Sequence, residues 1–122
     1  MPQSNLDIAR AFVAAIEAGD ADAVADAYAD DAEIWHNTDG KIQTKAENVA
    51  TIAGFVKFLN PRQYTELRIT ETTDGYVQQH TLVGTYGGDK EFRLPACLIV
   101  KLADGKIVRL DEYFDSATLP GR

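Results

Sequence analysis

The chain changes its hydrophobic period once, near residue 60. Before that point apolar residues recur every three or four positions, and after it they alternate with polar ones. Ile8, Phe12, Ala15 and Ile16 fall on one helical face, with Ser4 and Asp7 as the start signal and Gly19 as the stop. Asp20 caps a second, alanine-rich helix over 21–28 that carries Val24 and Tyr28 on one face, so Asp30 and Asp31 are expected to close it. Residues 32–37 read as a short strand ended by the turn pair Asp39-Gly40. Thr44 and Glu47 have capping-box spacing and open a third helix through Val49, Ile52, Ala53, Val56 and Leu59, which stops before Asn60-Pro61.

Four strand-like runs follow, over 64–72, 76–86, 90–102 and 106–115. The glycine-bearing segments 73–75, 87–89 and 103–105 connect them as hairpins. Pro95 lacks a donor and predicts a bulge or bend in the third run. Helices first and an antiparallel meander afterwards predict an α+β domain. A strongly bent sheet with three N-terminal helices against one face can enclose a pocket between them. The ordered core is expected over about 5–116, with a patternless, mobile tail at 118–122.

Length and charge narrow the picture. A chain of 122 residues fits one domain over 1–122 and buries about two thirds of its unfolded surface. The formal net charge of −7, from 19 acidic and 12 basic residues, is the wrong sign for a phosphate-binding surface. That argues against nucleic acid as a partner, and the lack of lysine and arginine clusters argues against anionic membranes. The one cysteine, Cys97, sits in an apolar run and reads as a buried thiol. The first residues lack the basic-then-apolar pattern of a signal peptide, and no apolar stretch has spanning length; a cytoplasmic protein is expected.

The phrase Ala18-Gly19-Asp20, then Tyr28-Ala29-Asp30-Asp31-Ala32, then the final Asp111-Glu112-Tyr113-Phe114-Asp115, resembles the SnoaL-like proteins of the nuclear-transport-factor-2/ketosteroid-isomerase superfamily. The resemblance runs from about Leu6 to Asp115. It implies a cone-shaped curved sheet wrapped around a hydrophobic pocket, a homodimer formed through the outer sheet face, and chemistry without cofactor. Within that superfamily the general-base aspartate of the ketosteroid isomerases falls at His36, or at Asn37 if the strand slips by one. Their oxyanion-hole pair falls at Phe12 and about Leu98, neither of which donates a hydrogen bond. The Arg-x-Asp pair of the epoxide hydrolases aligns with about His80-Thr81-Leu82, so that dyad is broken. The polyketide-cyclase pattern, an acidic residue on the last strand and a histidine on a central one, is the best match, with Glu112 and His80.

Alternation along the last run puts Leu110, Glu112 and Phe114 on one face and Arg109, Asp111, Tyr113 and Asp115 on the other. If the apolar pair faces the core, so does Glu112, and burial among apolar groups would suit it to acid/base work near neutral pH. His80 shares a face with Tyr76, Gln78, Leu82 and Tyr86, and His36 shares one with Ile34. These are the chain's two histidines, and histidine titrates closest to neutral pH. Each has a plain reading too: a solvated or arginine-paired Glu112, and structural histidines. Two histidines and a carboxylate suit a metal triad in principle, but the spacing has no ligand signature, so no metal is expected. Phe12, Tyr28, Trp35, Phe55, Phe58 and Tyr86 are candidates for the lining of a lipophilic pocket, or for simple core, and Asn37 for a substrate hydrogen bond.

Three readings fit these residues. The first is a cofactor-independent enzyme moving a proton on a small, mostly apolar substrate, as a cyclase, isomerase, dehydratase or hydrolase, with Glu112 as acid/base and His80 and His36 as partners. The second is a binding module for a small lipophilic ligand. The third is an association domain whose pocket has filled in.

Overall fold

A computed structural model describes residues 4–119, so the part of the expected mobile tail at 120–122 lies outside the described residues. Helices α1 (Asn5–Ala18) and α2 (Ala21–Ala27) lead into strand β1 (Tyr28–His36). A short β2 (Ile42–Gln43) and helix α3 (Lys45–Phe58) precede β3 (Arg62–Glu71), β4 (Gly75–Tyr86), β5 (Lys90–Ala103) and β6 (Lys106–Phe114). Local chemistry sets the helix ends. Ser4 Oγ accepts from the Asp7 N–H at 3.1 Å, and Gly19 ends α1 at φ 71°, in the left-handed region. Asp20 accepts from the Ala23 N–H at 3.1 Å. Thr44 and Glu47 exchange the two bonds of a capping box, at 3.2 and 2.9 Å.

The strands form one six-stranded sheet in the order β2-β1-β6-β5-β4-β3. Every neighbouring pair is antiparallel except β1 and β6, which run parallel. The last strand therefore enters the sheet beside the first long one. The expected α+β order of helices followed by a meander stands, and so does the expected mixed character of the largely antiparallel sheet. One face carries Tyr28, Ala32, Ile34, Tyr76, Leu98, Val100, Ile107 and Leu110, which pack with Phe12, Ile16 and Val24 of the helices into the main core. Leu59, Leu82, Phe92 and Leu94 form a second cluster under the end of α3. Among the described residues no helix is long and apolar enough to cross a membrane.

The structure differs from the sequence pattern at several places. Tyr28 is not the end of α2 but the first residue of β1, with φ −92° and ψ 140°, and Asp30 and Asp31 are strand residues. Tyr28 pairs with Ile107 of β6, a long-range partner that no local signal announces, and the register shifts between Tyr28 and Glu33. Pro95 makes no bulge: the β4–β5 register runs unbroken from Gly75↔Lys101 to Tyr86↔Lys90. The β5–β6 register begins at Ala96↔Phe114, so Pro95 sits where β5 has one partner strand instead of two. Register shifts fall elsewhere: in the β3–β4 ladder between Thr65 and Arg68, with Glu66 at φ 53°, and in the β5–β6 ladder between Lys101 and Leu102. Beyond β6 the chain turns through Ser116–Thr118, and Leu119 packs against the second cluster.

Candidate active site

Between the helices and the apolar sheet face lies a cavity of about 370 Å³. Its floor is Phe12, Ile16, Ile34, Leu98 and Leu110, and its walls include Tyr28, Phe55, Tyr64, Phe92 and Phe114. Helix α3 contributes Asn48, Thr51, Ile52 and Phe55, one face of the helix at three- and four-residue spacing. Apart from Asn48, no residue of that helix is fully buried; Val49, Ile52 and Phe55 pack half-buried against the two clusters.

The parallel β1–β6 ladder brings His36 opposite Glu112, and their side chains meet with Nε2 to Oε1 at 3.0 Å. Both side chains are about one-fifth exposed, at 20% and 23%. The hydrogen bond that His36 donates to Glu112 raises the His36 pKa above its ordinary value; burial opposes this, and the charges of Glu112 and Asp39 add to it. Just past the pair, Asn37 closes the ladder. Its backbone N–H donates to the Glu112 carbonyl at 3.1 Å, its Nδ2 donates to the Phe114 carbonyl at 3.1 Å, and its Oδ1 accepts from the Phe114 N–H at 3.0 Å.

His80 lies on β4 in the same cavity and is bonded to neither His36 nor Glu112. Gln78 Nε2 stands 3.0 Å from His80 Nδ1, and with the amide donating, the ring proton is left on Nε2. The Tyr64 ring lies over His80 with centroids 4.6 Å apart. Burial lowers the His80 pKa, partly offset by the charge of Glu112. The two histidines are thus driven in opposite directions, one toward imidazolium and one toward neutral imidazole.

A second polar set lines the cavity. The Tyr28 hydroxyl donates to Asn48 Oδ1 at 2.7 Å, Asn48 Nδ2 donates to Gln43 Oε1 at 2.9 Å, and Gln43 Nε2 donates to Thr51 Oγ1 at 3.2 Å. Asn48 is 3% exposed. Burial raises the pKa of Tyr28 and of Tyr64, and the charge of Glu112 raises both further, so each hydroxyl stays protonated.

Of the residues named from sequence, His36, His80, Glu112, Phe12, Tyr28 and Phe55 line this cavity. Asn37, Trp35, Phe58 and Tyr86 do not, and the expectation that they line it is corrected. Asn37 has both ends of its amide taken by the Phe114 backbone. Trp35 is one residue out of phase with Ile34 and His36, and it meets Tyr113 edge-on at 5.3 Å on the opposite sheet face. Phe58 is 46% exposed and stacks on Tyr86 at 5.1 Å, outside the Phe55–Phe92 wall. Sequence reasoning missed Asn48, Tyr64 and Phe92. Asn48 carried a usable signal, a polar residue between Val49 and Thr44 on the inward side of a capped helix. Among the described residues no three His, Cys, Asp or Glu side chains cluster as metal ligands would.

A mixed six-stranded sheet and three helices around a cavity with a histidine–carboxylate pair define a class of small α+β pocket proteins. Residues 9–110 match the model of the SnoaL-like domain, and the chain belongs to that family. No curated protein matches the sequence. Solved structures do match. A candidate polyketide cyclase from Pseudomonas putida is 22% identical, with 95% of each chain covered and a TM-score of 0.82. IdmH, a candidate polyketide cyclase from Streptomyces antibioticus, is 18% identical over 95% of each chain, with a TM-score of 0.83. An LEH-like epoxide hydrolase from M. tuberculosis is 18% identical, covering 93% of this chain and 84% of its own, with a TM-score of 0.79. At such identities the likeness establishes the fold alone.

Proposed function

We propose that the chain is a cofactor-independent enzyme that moves a proton on a small, mostly apolar substrate. The observation that carries this reading is the His36 Nε2–Glu112 Oε1 contact of 3.0 Å in the wall of a largely apolar cavity. In this reading Glu112 takes a proton from a carbon next to a carbonyl, or returns one. His36 holds the carboxylate in place and supplies the compensating positive charge. Neutral His80 and the protonated Tyr64 hydroxyl are the donors for an oxygen that gains negative charge. The apolar floor keeps water away from the reacting carbon. The reaction class is that of an isomerase, cyclase, dehydratase or hydrolase.

The mostly hydrocarbon lining also favours the alternative of a domain that binds a small lipophilic ligand without changing it. Deuterium uptake separates the two. Small cyclic ketones and enones are incubated in D2O with the wild type and with Glu112→Gln, and α-proton exchange is read by NMR. The enzyme reading expects exchange that drops about 10²- to 10⁴-fold in the variant. Ligand-induced amide shifts with equal exchange in both proteins would leave binding only. A homodimer through the outer sheet face belongs to the same proposal; Ile99 and Tyr113 are 42% and 44% exposed there. Sedimentation equilibrium checks it.

A further inference from the structure

The carboxylates of the cavity wall outnumber its cations, with His36 the one lining residue driven toward a positive charge. Glu112 and Asp39 bring carboxylates to the lining, and neither a lysine nor an arginine is among the lining residues. Among the described residues, the side chain that can compensate the Glu112 charge by direct contact is protonated His36. The Glu112 field also extends across the cavity. It opposes ionisation of Tyr28 on β1 and Tyr64 on β3, favours protonation of His36, and works against the burial that keeps His80 on β4 neutral. Four groups from three strands therefore feel the Glu112 carboxylate, with the charge of Arg62 opposing it at Tyr64. Helix α3 faces that region with Asn48 and Thr51, which carry no charge. A carboxylate or phosphate on a ligand would meet no lysine or arginine in the lining, and the one lining cation, protonated His36, is already engaged by Glu112. Tyr28, Phe55, Tyr64, Phe92 and Phe114 line the same cavity, and aromatic side chains are partners for organic cations.

We propose that the ligand of this cavity carries a compact organic cation, an alkylammonium group on an apolar body, with the nitrogen beside Glu112 and the hydrocarbon on the aromatic wall. This deepens the reading of the His36–Glu112 pair as the working site and rests on it. The cation and the His36 proton compete for one carboxylate. Binding therefore weakens as His36 becomes protonated and tightens as pH rises above its folded pKa. The remaining facing groups do not reverse that sense. Asp39 is a second carboxylate at the mouth, buried His80 favours the neutral form, and Tyr28 and Tyr64 hold their protons.

The test uses two probes of the same shape and different charge. Benzyltrimethylammonium and neopentylbenzene differ by a nitrogen in place of a carbon, and phenylacetate supplies the anion. Each is titrated into the full chain at pH 5.5 and 8, followed by amide chemical shifts. We expect the cation to bind about tenfold tighter than its neutral isostere at the higher pH, with the margin shrinking at the lower pH, and phenylacetate to bind weakest. Glu112→Gln should bring the cation and the isostere together. Should that variant unfold, Asp39→Asn on the exposed turn should narrow the margin without touching the core. Equal binding of the two isosteres to the wild type would overturn the proposal, as would a cation preference that survives Glu112→Gln. The deuterium-exchange assay keeps the two readings apart. Exchange without cation preference leaves the proton-transfer site standing with a neutral substrate, and cation preference without exchange makes the cavity an amine-binding site.

Discussion

His36 and Glu112 are register partners across the parallel β1–β6 ladder, and their side chains point to the same side and touch at 3.0 Å. Parallel strands with a fixed register hold such a pair by backbone geometry rather than by loop packing. The pair is clamped at its end by the two hydrogen bonds between the Asn37 amide and the Phe114 backbone. Preorganisation of this kind is what proton transfer needs, because a misplacement of about 1 Å weakens it steeply.

Removing the carboxylate should release the histidine. In Glu112→Gln, the His36 pKa should fall toward the ordinary range, because the hydrogen bond and the charge that raise it are lost together. Imidazole C–H shifts against pH measure this. An unchanged His36 titration would show that the contact does not persist in solution.

The histidines make opposite contributions to stability against pH. The folded-state pKa of His36 is raised above 6.5, so its contribution is complete below that value and is lost as pH rises through the folded pKa. The folded-state pKa of His80 is lowered below 6.5, so the unfolded chain takes up the proton first and stability falls as pH drops through this window. Urea midpoints of His36→Gln and His80→Gln across pH 5 to 8 should flatten the alkaline and the acidic side, respectively.

The Tyr28–Asn48 bond joins β1 to α3 across the cavity wall at 2.7 Å. Asn48→Leu strands a buried hydroxyl and should cost about 1–3 kcal/mol in urea unfolding. Adding Tyr28→Phe removes that stranded group, so the double variant should be destabilised by less than the sum of the two single changes.

Gly84 allows β4 to run close beneath the end of α3. A Cβ there would lie 2.7 Å from Leu59 Cγ and would also press on the Pro61 backbone. Leu59 is fully buried, so it has little room to give way. Gly84→Ala should lower stability by about 1–3 kcal/mol, read from the urea midpoint. A neutral result would mean that the α3–β3 turn is looser than this packing implies.

Local chemistry alone determined the helices and most of the strands. Caps at Ser4, Asp20 and Thr44 and glycines at the turns act over three or four residues, so their outcome is written where they stand. Alternation likewise determined that Glu112 shares a face with Leu110 and Phe114, and all three line the cavity. Tertiary structure decided the rest. Nothing near Tyr28 announces that it leaves its helix to pair with Ile107, and nothing near Glu112 says that its partner is His36 rather than His80. Side-chain period tells which face a residue takes, whereas strand order decides which residues meet on that face. Here that order follows from the last strand settling beside the first long one, a pairing between segments more than 70 residues apart (Glu33↔Arg109, Ile34↔Leu110, Trp35↔Asp111, His36↔Glu112).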